Sequence, residues 1–131
     1  MEVLSSRVIV RCRDVEAAIR FWVDTVGLRI YREYGDDGRR AGVVLFCGGG
    51  FLELTAAGRG GPGPVAGAVL WLQVVDVDAE VERLRRVGVE VGTAVTEPWG
   101  LREAWFTDPD GLDVVLVEVP AGHPIRSRLT V

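Results

Sequence analysis

The chain has 131 residues, 48% of them hydrophobic and 26% charged, which describes one folded domain and excludes a disordered chain. One histidine and two cysteines exclude a zinc finger, a three-histidine centre, a Cys-X-X-Cys pair and a disulfide framework. A formal net charge of −4 disfavours non-specific nucleic-acid binding, which needs a basic footprint.

Residues 7–12 read as a strand. Asp14 can cap a helix, its carboxylate accepting from free backbone N–H groups of the first turn. Val15, Ala18, Ile19, Trp22, Val23 and Val26 then recur at helical spacing, which predicts one α-helix ended by Gly27. Segments 28–34, 41–47 and 51–55 read as three strands, with Asp36-Asp37-Gly38 and Gly48-Gly49-Gly50 as the turns between them. The run Gly58-Arg59-Gly60-Gly61-Pro62-Gly63-Pro64 can hold neither helix nor central strand and reads as a linker, taken as 58–67. Beyond it, 68–75 is a strand and Asp76 a helix cap. Val77, Val81, Leu84 and Val87 form an apolar helical face closed by Gly88. Segments 89–93, 101–106 and 112–119 are the remaining strands, and Asp108-Pro109-Asp110-Gly111 is a β-turn between the last two. A tail, 120–131, carries His123, for which a solvated or packing role is expected.

The order of signals is βαβββ, twice. Asp14-Val15-Glu16-Ala17 recurs as Asp76-Val77-Asp78-Ala79, an offset of 62 residues between positions 14 and 76. The expected class is therefore α+β: module one about 4–57, module two about 68–119, and a cupped mixed sheet whose open face must be buried or bind something.

Three motifs carry a resemblance. The first runs from Arg13-Asp14-Val15 through Phe21-Trp22 to Val26-Gly27-Leu28. The second is Glu97-Pro98-Trp99-Gly100 with Arg102, and the third is Phe106-Thr107-Asp108-Pro109-Asp110-Gly111. Together with the repeat, they resemble the vicinal oxygen chelate superfamily of glyoxalase I, extradiol dioxygenases, and fosfomycin- and bleomycin-resistance proteins. The Phe-Trp pair and the Pro-Trp-Gly loop lean towards the bleomycin-resistance branch. The resemblance places the metal-ligand positions of that superfamily at Arg7, Glu53, Val69 and Val115, and the internal offset relates Arg7 to Val69 and Glu53 to Val115. Arginine does not ligate divalent metals and valine has no donor atom. One carboxylate does not make a site. No metal and no cofactor is expected.

Strand alternation sorts the rest by face. Arg7 shares its parity with Ile9 and Arg11, Glu53 with Phe51 and Thr55, Val69 with Trp71 and Gln73, and Val115 with Asp113 and Val117. The opposite parity, from Val8, Val10 and Cys12 to Leu52, Leu54, Leu70, Leu72, Val74, Val114 and Leu116, is apolar and should pack under the helices. The expected binding residues are Arg7, Ile9, Phe51, Glu53, Val69, Trp71, Gln73, Trp99, Trp105 and Val115. The aromatics would stack on a ligand and Arg7, Glu53 and Gln73 would orient it. The resemblance implies that a tryptophan of the Pro-Trp-Gly loop lies against the ligand.

Each assignment has a plainer counterpart. Trp71 is equally an interface residue, Trp99 a loop plug, Arg7 simply the ion-pair partner of Glu53, and Trp22 a core or dimer contact. Arg102 is expected to bridge a nearby carboxylate or the Asp108 turn, and Cys12 to be an inert thiol. Arg39, Arg40, Arg83, Arg85 and Arg86 read as solvated charges. Tyr31, Tyr34 and Cys47 have no assignment.

The leading expectation is a metal-free protein that sequesters a bulky, partly aromatic natural product or antibiotic. The alternative is a metal-independent isomerase, cyclase or lyase with Glu53 as general base, which would need a raised pKa. A partner subunit with a vestigial cleft is the third reading. The resemblance implies a homodimer, with a linker long enough for module exchange. No apolar run approaches the ~20 residues of a membrane span and no basic-then-apolar segment opens the chain, so a cytoplasmic protein without membrane or nucleic-acid partners is expected.

Overall fold

In the computed structural model the described residues are 1–58, 61–63 and 66–125. Of the expected linker and tail, Arg59, Gly60, Pro64, Val65 and 126–131 lie outside them. Two compact units are present. One comprises Met1–Ala68 with Asp108–Leu112, the other Val69–Thr107 with Asp113–Val131.

Unit one contains β1 (Arg7–Cys12), α1 (Val15–Ile19) with a π-helical continuation (Arg20–Val26), β2 (Ile30–Asp36), β3 (Arg39–Cys47) and β4 (Gly50–Ala56). Its sheet has the order β1-β4-β3-β2, with β1 parallel to β4 and the other pairs antiparallel. Unit two repeats this with β5 (Val69–Gln73), α2 (Val77–Arg86), β6 (Val95–Thr96), β7 (Arg102–Thr107) and β8 (Asp113–Glu118), ordered β5-β8-β7-β6. The repeat extends to the helix caps. Asp14 Oδ1 accepts from Ala17 N at 3.1 Å, and Asp76 Oδ1 from Ala79 N at 3.0 Å. Each satisfies an otherwise orphaned donor and stabilises its helix start by about 1 kcal/mol. No helix among the described residues is long and apolar enough to cross a membrane.

The first helix departs from expectation. It turns π-helical from Arg20, and both Gly27 N and Leu28 N bond to Trp22 O (3.1 and 2.9 Å) before Gly27 ends it at φ +99°. The wider turn abandons the 3.6-residue period, so Val23 and Val26 are only half-buried while Ala18, Ile19 and Trp22 are buried. Trp22 belongs to the core of unit one. Its indole N–H donates to Asp108 Oδ2 at 3.3 Å, and Asp108 Oδ1 accepts from Asp110 N and Leu112 N at 2.9 and 2.8 Å. Asp110 in turn accepts from Arg13 N at 2.9 Å. Burial pushes the Asp108 carboxyl above the usual aspartate range, although these donors oppose the shift.

Two further expectations are corrected. Segment 89–93 is not a strand. Arg85 donates to Val91 O at 3.2 and 3.0 Å and to the Thr93 hydroxyl at 3.3 Å, so a side chain takes one backbone carbonyl a ladder would use, and Gly92 N to Trp105 O at 3.0 Å is an isolated backbone bond. The pairing strand lies later, at Val95–Thr96. Val8, expected in the core, is exposed, and Leu70 and Leu72 are only half-buried. Both β1 and β5 are edge strands, and the helices cover their neighbours instead: α1 packs on β3 and β4, α2 on β7 and β8. Val10, Cys12, Leu52, Leu54, Val114 and Leu116 are buried as expected.

Candidate functional site

Each sheet presents one face that is not covered by its helix. In unit one the register puts Ile9, Glu53 and Val44 in one row across β1, β4 and β3, and Arg7, Phe51 and Phe46 in the row beside it. Arg7 reaches along the sheet to Glu53, Nη1 to Oε1 at 2.7 Å. The partners therefore sit on neighbouring strands of a single sheet, and the expectation of an ion pair between them holds. Glu53 Oε2 accepts from Tyr34 Oη at 2.6 Å. Burial alone would raise the Glu53 carboxyl; hydrogen bonds from Tyr34 and Arg7, with the Arg7 charge, outweigh it and leave the group below the usual glutamate range. Tyr34 moves up, through burial first and then its bond to Glu53. A carboxylate held ionised by two donors is a weak base, which runs against the general-base reading.

Beside this network lies an aromatic cluster. Tyr31 stacks on Phe51 with ring centroids 5.0 Å apart and contacts Phe46 at 5.1 Å, and the Arg7 guanidinium lies 5.9 Å from the Phe51 ring centre. Tyr31 and Phe46 are exposed. Sequence reasoning missed both tyrosines. A break in register between Ile30 and Arg32 interrupts the alternation along β2, so parity could not place them.

In unit two, Trp71, Val115 and Trp105 form one row across β5, β8 and β7. Val115 is 3% exposed, packed with Leu101, Val117 and Val119 and with Ile125 against them, while the two tryptophans flanking it are each 45% exposed. Val115 is thus a covered floor between two indoles. The next row is Gln73, Val117, Glu103 and Val95, and the one on the other side begins at Val69, which is exposed. Trp99 sits in the turn Glu97–Gly100, closed by Gly100 N donating to Glu97 O at 2.9 Å. Its indole N–H donates to the buried Glu103 at 2.8 Å while the residue remains 58% exposed. His123 Nε2 bonds Trp99 O at 3.1 Å, and Ile125 N donates to Nδ1 at 3.4 Å, so the single histidine ties residues 123–125 to this turn. Glu103 was not anticipated, although it has the same strand parity as Trp105.

Other charges hold the scaffold. Arg102 grips Asp78 with two bonds of 2.7 Å, the nearby carboxylate expected of it. Arg40 is not simply solvated, since it bonds Glu16 and Glu33. The acidic group Asp76, Asp78 and Glu118 has its oxygens engaged by Ala79 N, Arg102 and Val77 N. Burial, with Asp110 close by, raises the Cys12 thiol to about 12, so it is unreactive at neutral pH. Two depressions lie outside the two faces. One, of about 580 Å³, is lined by residues including Cys12, Glu16 and Arg40, the other, of about 510 Å³, by residues including Val81, Arg85 and Ala94. Neither holds a residue expected to bind ligand.

The repeated unit and these faces define a class. The chain belongs to the Glyoxalase/Bleomycin resistance protein/Dioxygenase superfamily, which matches residues 5–116. Among solved structures it is similar to TnmS3, an antibiotic binding protein from Streptomyces sp. CB03234, at 27% identity and TM-score 0.74, covering 91% of this chain and 98% of that one. A glyoxalase/bleomycin resistance protein from the same Streptomyces matches at 30% identity and TM-score 0.69, over 86% and 97%. TioX from Micromonospora sp. ML1 shares the fold at 23% identity and TM-score 0.73, over 88% and 98%. No curated protein matches the chain in sequence. The residues at the positions that the resemblance assigns to metal ligands do not fit a divalent ion. Val69 and Val115 have no donor, Arg7 is a cation, and both oxygens of Glu53 already accept hydrogen bonds.

Proposed function

We propose that this protein binds and sequesters a bulky, partly aromatic natural product or antibiotic, without metal and without chemistry on the ligand. The observation that carries the reading is the row Trp71–Val115–Trp105, two exposed indoles in register either side of a buried valine. Large exposed aromatics held in sheet register keep flat apolar surface in water, where a planar ligand gains by covering it. In this reading Trp71, Trp99 and Trp105, with Val69, Gln73 and Val115, serve on the face of unit two, and Arg7, Ile9, Phe51 and Glu53 on that of unit one. The similarity to an antibiotic binding protein at 27% identity supports it. So does Glu53, whose lowered pKa suits a fixed polar partner better than a base. We take the acting form to be a cytoplasmic homodimer.

The test is a titration with DNA-damaging glycopeptide, quinone and enediyne antibiotics, followed by tryptophan fluorescence and thermal shift. Saturable quenching with stabilisation is expected for at least one class. No quenching and no stabilisation at tens of micromolar ligand would reject sequestration for that panel. Turnover of a ligand without added metal, lost in Glu53→Gln, would replace binding by catalysis.

A further inference from the structure

Among the described residues, Glu53 is the one acidic residue that the strand register places in the rows of Arg7, Arg11 and Arg32 on the open face of unit one. Both its oxygens are engaged, Oε1 by Arg7 at 2.7 Å and Oε2 by Tyr34 at 2.6 Å. An incoming cation would have to displace one of these partners and bring its charge up to the Arg7 and Arg32 guanidinium groups.

The positive side of the face is in a different state. Arg7 spends Nη1 on Glu53 and keeps 38% of its side chain exposed, with its guanidinium lying beside the Phe51 ring. Arg32 shares the row of Val44 and Glu53, is exposed, and adds a second positive charge that Glu53 feels. Arg11 is fixed by donating Nε to Gly61 O at 3.0 Å. A guanidinium offers several N–H donors in a planar fork and cannot be deprotonated, so a group with one donor in use still has others to offer an oxygen acceptor. The stacked Tyr31, Phe46 and Phe51 rings border this positive edge and supply the apolar surface for a planar body.

We infer that the unit-one face selects planar ligands carrying an anionic group, such as a carboxylate or phenolate, placed against Arg7 and Arg32. Cationic ligands are disfavoured there despite the net negative charge of the chain. The inference rests on the proposed ligand-binding function and specifies its chemical class.

Three probes with one ring system separate the possibilities: anthraquinone-2-carboxylate, 2-(hydroxymethyl)anthraquinone and 2-(aminomethyl)anthraquinone, compared by calorimetry at low and high salt. The carboxylate is expected to bind at least tenfold more tightly than the ammonium probe, with an advantage that shrinks in salt. Arg7→Gln and, separately, Arg32→Gln should reduce that preference; Arg32 is exposed and makes neither of the hydrogen bonds to Glu53, so its variant tests the point with those two bonds in place. If the ammonium probe binds as tightly as the carboxylate, the charge selection is wrong while ligand binding stands. If none of the three binds, this inference falls, and the antibiotic titration above decides the binding reading separately.

Discussion

The phenol ring of Tyr34 lies against the Cα of Gly42. A β-carbon built at Gly42 comes within 2.4 Å of the Tyr34 hydroxyl oxygen and 2.6 Å of Leu54 O. The absence of a side chain at position 42 is what lets Tyr34 cross β3 and reach Glu53. Gly42→Ala should therefore destabilise the chain by about 1–3 kcal/mol, since one of the two clashing atoms is backbone that cannot swing away. Tyr34→Phe, which removes only the hydroxyl, should cost about 1 kcal/mol. Urea denaturation of both variants checks the order, and an unchanged midpoint for Gly42→Ala would contradict the contact.

Glu53 gives the acid limb of stability a sign. Its pKa is lower folded than unfolded, so its contribution is complete above the unfolded value near ~4.3 and is lost as pH falls through the folded value. Glu53→Gln should be less stable than the parent at pH 7, and the gap should narrow as pH falls below the unfolded value and through the folded one. Thermal melts of both proteins across that range measure it. A gap independent of pH would show that the carboxylate is not held by Arg7 and Tyr34.

Trp22 and Asp108 pair a fully buried indole with a buried carboxyl. Trp22→Phe leaves a cavity and removes one donor from Asp108, and should cost about 2–4 kcal/mol. Because burial raises Asp108, that carboxyl favours the fold below its unfolded pKa and loses the advantage as pH rises through its folded value. The cost of Trp22→Phe should accordingly be greater at pH 7 than at pH 4. Equal losses at both would mean that only the cavity counts.

Trp71 and Trp105 are half exposed, so truncating either should barely change the melting temperature. Against an antibiotic that quenches the parent protein, each alanine variant should weaken binding about 10- to 100-fold. Unchanged affinity in both would remove the row from the site.

Cys12 and Cys47 are both free, and burial raises the thiol of each. Cys12 should resist iodoacetamide at pH 8 until the chain is unfolded, while half-buried Cys47 is modified first. Mass spectrometry of the labelled peptides decides the order.

Residue order alone determined the repeated βαβββ plan, the two aspartate caps and the uncovered parity of Trp71 and Glu53. These follow from local rules: a cap needs a short acceptor before an apolar period, and alternate strand residues share a face. Residue order also showed that Arg7, Val69 and Val115 lack metal donors. Only the tertiary structure decided where local rules conflict with long-range contacts. The widened turn at Trp22 shifted Val23 and Val26 away from the core, and Arg85 took the Val91 carbonyl, while the pairing strand formed at Val95. The bulge in β2 and the bare Cα of Gly42 brought Tyr34 to Glu53, a pairing no alternation predicts because a register break transfers side chains between faces. That contact turned Glu53 from a candidate base into a carboxylate fixed between two donors.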